Sequence, residues 1–173
     1  MKSKKIVYAS VSTALSTAVI LICAYTPVKF VPLVFASVAY CLAFYKCGWW
    51  GALSIVASML ISFFAGGAFQ TSFVLTLVLF APYSVLAYAI RKIEYTTNKN
   101  WIIRCSIVVT FFVLSSIAVL MLMQFITGVS LEVVVEKLGE WVIVALFALF
   151  AVPTDFFFTF AVGKMVKILG NLK

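Results

Sequence analysis

Apolar runs of about 18 or more residues recur from one end of this 173-residue chain to the other, and charge falls almost only where they stop. Each such run is long enough to cross the roughly 30 Å hydrocarbon layer of a bilayer as a helix. The composition agrees: 65% of residues are hydrophobic, 10% are charged and the mean hydropathy is +1.21. Soluble domains are nearer to about half apolar and a quarter charged. Barrel strands alternate apolar and polar residues over about ten positions, whereas these runs are continuous and about twice as long. The backbone must therefore satisfy its own hydrogen bonds within helices. The sequence predicts an all-α integral membrane protein with one domain, residues 1–173.

Six spans are predicted, at about 6–25, 31–45, 49–65, 73–90, 102–127 and 141–162. Charge tests this arrangement. One side of the membrane collects eleven basic residues, namely Lys2, Lys4, Lys5, Lys46, Arg91, Lys92, Lys99, Arg104, Lys164, Lys167 and Lys173. The other side has two, Lys29 and Lys137. Basic residues concentrate on the cytoplasmic side of membrane proteins, so the expectation is a six-transmembrane-helix bundle with both termini in the cytoplasm. An odd number of spans would scramble the asymmetry. The basic start and first apolar run also have the outline of a signal peptide, but the run is long and no small-residue cleavage site follows it. It is read as a retained first helix.

The same charges explain the net +8 without nucleic acid, because they sit at span ends and form no basic module. The sequence has no histidine, and its four cysteines, Cys23, Cys41, Cys47 and Cys105, contain no C-x-x-C pair. Neither a metal site, a disulfide nor a cofactor is expected. Paired acids and a nucleophile beside a base are also missing, so no catalytic residue is proposed and the chain does not read as an enzyme. No loop is long enough for a nucleotide-binding domain, and no Walker-type glycine loop occurs, so any ATP-driven work would come from a partner. Glu132, Glu136 and Glu140 repeat at four-residue spacing on the outer side. They suggest a short surface helix leading into the last span, either a solvated face or a lid.

One acid lies inside a span. Asp155, in the stretch AVPTDFFFTF, stands 14 residues after Trp141 and nine before Lys164. Those separations correspond to roughly 21 Å and 13 Å of helix. An acid at this depth is costly to insert. Pro153, two residues earlier, removes one backbone donor and is expected to leave the Leu149 carbonyl unpaired at a kink. Three readings of Asp155 stay open. It is protonated in an apolar site, pairs with a basic residue such as Lys46, Arg91 or Arg104, or faces water or a ligand. Tyr83 follows Pro82 in the fourth span, where a second kink is expected. Gln124, near the outer end of the fifth span, fits an interhelical hydrogen bond or a ligand contact.

Small residues line one side of the first span: Ser10, Ala14 and Ala18. In lipid such a stripe lets another helix approach closely. It serves packing within the bundle or docking of another membrane subunit.

The Ala14-x-x-x-Ala18 stripe, the basic N-terminus, the tight turn with Gly48 and Gly51 and the last span with Pro153, Asp155 and a basic tail resemble the substrate-binding S components of energy-coupling factor (ECF) transporters. That resemblance implies a bacterial cytoplasmic-membrane protein that binds a vitamin or related micronutrient. It also implies partners, a transmembrane coupling subunit and ATPase subunits, with Ser10, Ala14 and Ala18 as the docking face. Substrate contacts would come from the outer loops and outer helix halves, where this chain has Lys29, Gln70, Gln124, Glu140 and Trp141, with Tyr83 and Asp155 deeper. Two other classes fit the size and hydropathy: membrane scaffolds of the cell-wall elongation machinery (the MreD type) and small secondary transporters.

Overall fold

The computed structural model describes residues 2–25, 30–67, 71–91, 93, 98–127 and 139–171. Helix α1 is Lys2–Tyr25 and α2 is Phe30–Cys47. A 3₁₀ turn, Gly48–Gly51, leads into α3, Ala52–Ser62, which runs on into a π-helical turn at Phe63–Gly67. Helix α4, Thr71–Leu75, continues through a second π-helical turn, Thr76–Phe80, into α5, Ala81–Ala89. Two long helices complete the bundle, α6 at Asn98–Thr127 and α7 at Glu140–Asn171. No strand occurs among the described residues. The surface helix predicted over residues 129–141 falls outside the described residues up to 138, and its last two residues, Glu140 and Trp141, open α7.

Among the described residues, five stretches are long and apolar enough to cross a membrane. The second, Pro32–Ala65, takes in both α2 and α3. It folds back on itself at the 3₁₀ turn: the Tyr40 and Ser58 hydroxyls hydrogen-bond each other, and Phe44 packs edge-on against Trp49. Two glycines allow the reversal. Gly48 has φ +65°, where a side chain is strained. A Cβ on Gly51 would lie 2.7 Å from the Phe44 backbone nitrogen, so α2 and the turn touch backbone to backbone.

Helix α2 is the centre of the bundle and packs against α1, α3, α5 and α7, while α6 pairs with α7. Tyr40, Phe44 and Leu33 of α2 are fully buried. The distribution of polarity is that of a protein dissolved in hydrocarbon. Ser16, Ser37, Ser58, Ser72, Ser84 and Ser116 are completely buried, while Phe64, Leu149, Phe156 and Met121 lie on the outside. Small hydroxyl side chains let helices approach, and those of Ser37, Ser58 and Ser84 bond across to a neighbouring helix; large apolar side chains face lipid, which solvates them as well as the core does.

The two prolines sit in different settings. Pro82 sits at the start of α5, directly after the π-helical turn, so the missing N–H and the bulky ring fall where the helix has already widened. Pro153 lies inside α7, which continues helically through it to Asn171.

Candidate functional site

Asp155 is fully buried and Arg104 nearly so, and the two form an ion pair. Arg104 Nε donates to Asp155 Oδ2 at 2.7 Å and Nη2 donates to Oδ1 at 3.2 Å, the two-pronged geometry that a guanidinium offers a carboxylate. Tyr83 donates its hydroxyl to the same Oδ1 at 2.6 Å. The other edge of the guanidinium is also bound, with Nη2 donating to Thr159 Oγ1 at 2.7 Å and Nη1 to the Ile93 carbonyl at 2.8 Å. One node therefore joins α5, α6, α7 and the segment after α5.

Local sequence explains each arm. Asp155 and Thr159 are four residues apart on α7, so they stand one turn apart on one face and meet the same guanidinium. Tyr83 is held by rings: its centroid lies 5.0 Å from Phe158, 5.4 Å from Phe112 and 6.1 Å from Phe111. These contacts leave its hydroxyl aimed at the carboxylate while its ring fills apolar space. Arg104 enters from the first turns of α6 and reaches Ile93 with its remaining nitrogen. Charges this deep persist in an apolar bundle only when paired and hydrogen-bonded. Of the three readings of Asp155, the structure shows the basic partner, and it is Arg104, not Lys46 or Arg91. Lys46 stands over the Tyr8 ring and Arg91 over the Tyr88 ring.

Most of the other sequence-predicted positions fall where the structure gives no side-chain description. Lys29 and Gln70 lie outside the described residues. Gln124 is in the last turn of α6 and Glu140 opens α7, and their side chains are likewise outside the description. Trp141, on the first turn of α7, is 83% exposed. The sequence reading missed Thr159 and the Ile93 carbonyl. Thr159 carried a signal, its four-residue offset from Asp155; a backbone carbonyl carries none. Among the described residues no three His, Cys, Asp or Glu side chains come together as metal ligands.

The small-residue stripe sits elsewhere. Ser10, Ala14 and Ala18 are all exposed on α1. Packing within the bundle uses the opposite face, where Ser12 donates to the Ala39 carbonyl of α2 at 2.6 Å and Ser16 is fully buried. Beside the stripe runs a groove of about 480 Å³ between Ser10, Thr13 and Ala14 of α1 and Ser54, Ala57 and Ile61 of α3.

Comparison of the chain with family models, with curated proteins and with solved structures gave no match.

Proposed function

We propose that this chain is the substrate-binding membrane subunit of an ECF-type importer for a vitamin or related micronutrient, crossing the cytoplasmic membrane six times with both termini inside. The observation that carries this reading is the exposure of Ser10, Ala14 and Ala18. Packing among the described residues leaves this smooth face of α1 uncovered, and small residues are what a closely approaching partner helix requires. The eleven-to-two split of basic residues supports the orientation. In this reading α2 and α3 count as separate crossings, and the partners are a coupling subunit and its ATPases. Substrate enters from the outer side near Lys29, Gln70, Gln124, Glu140 and Trp141. The Arg104–Asp155–Tyr83 node fixes α5, α6 and α7 as one body beneath it, so that the subunit can move as a unit against its partner.

The test replaces Ala14 and Ala18 with leucine in the full chain. The double variant is expected to fold and to keep its bound small molecule, read by mass spectrometry of the purified protein, while copurification with the coupling subunit is lost. Unchanged copurification would overturn the docking role. Recovery of morphogenesis proteins with the wild type, and no coupling subunit, would replace the reading with a scaffold of the cell-wall elongation machinery.

A further inference from the structure

A cavity of about 440 Å³ opens beside the node, between the ends of α2, α5 and α7 and the start of α6. Arg91 and Lys167 line it and are exposed, Arg104 lines it from the buried side, and Tyr45 adds a hydroxyl. Val162 and Val166 of α7 give it an apolar wall.

Among the described residues the charges lining this cavity do not balance. Asp155 is the one carboxylate among the described side chains, and it is buried against Arg104. Arg91 and Lys167 form no ion pair among the described residues. Arg91 is nevertheless held in place: Nη1 donates to the Tyr88 carbonyl at 2.9 Å, and the guanidinium lies 3.8 Å from the centre of the Tyr88 ring. Both contacts orient the group without neutralising it. Arg91 held in place, Lys167 across the cavity, a neighbouring hydroxyl and an apolar wall form a receptor for an anion attached to hydrocarbon.

We propose that this cavity binds the phosphate headgroup of an anionic phospholipid from the leaflet at this end of the bundle, with an acyl chain along Val162 and Val166. Inorganic phosphate shares the headgroup chemistry but has no use for the apolar wall. The site is independent of the transport reading, because it is built from the chain's own cations whatever partner covers α1.

The experiment is native mass spectrometry of the full chain extracted from vesicles containing equal phosphatidylcholine and phosphatidylglycerol. Wild-type protein is expected to retain phosphatidylglycerol in preference and to keep it when inorganic phosphate is added. Arg91→Gln and Lys167→Gln should each weaken retention about five-fold, and together on the order of twenty-five-fold, the effect of removing one cation each near a membrane surface. Arg91→Lys keeps the charge but not the guanidinium contacts with Tyr88, and should fall between the wild type and Arg91→Gln. Both positions are exposed, so the variants should elute from size exclusion as the wild type does. Equal retention of the two lipids by the wild type overturns the proposal, and so does unchanged retention by the double variant. Displacement of phosphatidylglycerol by inorganic phosphate reassigns the site to the free anion and overturns the lipid.

Discussion

On the α1–α2–α3 side the bundle is stitched by hydroxyls; on the α5–α6–α7 side it hangs on one charged node. Ser12 donates to the Ala39 carbonyl, Ser54 to the Ala9 carbonyl at 3.1 Å, and Tyr40 and Ser58 bond each other. Each of these links is neutral, and the carbonyls they reach already serve a helix. Losing one leaves little behind. The node is different, since Arg104 and Asp155 are oppositely charged partners almost wholly buried in the bundle. Removing either strands the other. One side should therefore weaken by degrees and the other abruptly.

The largest expected effect comes from Asp155→Ala. It leaves the Arg104 guanidinium buried without its carboxylate, which costs about 3–5 kcal/mol of stability. Unfolding of the purified protein in detergent, followed by circular dichroism, measures it. Pairing Asp155→Leu with Arg104→Met should recover most of the loss, because an apolar pair of similar volume has no desolvation penalty to offset. A single Asp155→Ala variant as stable as the wild type would erase the contrast between the two sides.

Gly51→Ala tests the hydroxyl side at its hinge. The new Cβ would lie 2.7 Å from the Phe44 nitrogen and 2.9 Å from the Ala43 carbonyl carbon and the Phe44 Cα, all backbone atoms that cannot rotate away. Helix α2 must then move off the turn, with a loss of about 1–3 kcal/mol in the same unfolding measurement. Gly48→Ala has open space around its Cβ and is strained only by φ +65°, so it should fall at the lower end of that range. If the order is reversed, backbone conformation and not close approach sets the hairpin.

Much of this architecture was legible in the sequence, for physical reasons that also show where legibility ended. Long apolar runs announce helices because hydrocarbon permits little else, and Gly48 and Gly51 announced the reversal between α2 and α3. The helix ends were less legible. Residues 98–101 precede the predicted fifth span and residues 163–171 follow the sixth, yet both stretches are helical, since a helix need not end where lipid does. The π-helical turn at Thr76–Phe80 had only Pro82 as a hint. At the node, Arg104 was one of three basic candidates. What set it apart was its place inside an apolar run, after Ile102 and Ile103, a position with the same insertion problem as Asp155. That α6 and α7 stand side by side is a matter of packing, which no local pattern encodes. The same holds for α1, which carries small residues on two faces. Periodicity found Ser10, Ala14 and Ala18, but only the packed bundle shows that Ser12 and Ser16 are the ones turned inward.

The smallest effect should come from the Tyr40–Ser58 pair, and it is the sharpest test of the comparison because both residues are as buried as Asp155. Ser58→Ala removes a hydroxyl that also donates to the Ile55 carbonyl at 2.9 Å within its own helix. The Tyr40 phenol that it leaves behind is a neutral group. Interhelical hydrogen bonds of this kind contribute on average about 0.6 kcal/mol in membrane bundles, with the strongest near about 1.7. Ser58→Ala and Tyr40→Phe should each fall in that range, and the double variant should lose less than their sum because the two share one bond. Burial is the same in the two places; what differs is whether the group left behind carries a charge. A Ser58→Ala loss as large as that of Asp155→Ala would mean that depth in the bundle, and not charge, decides which contacts hold it together.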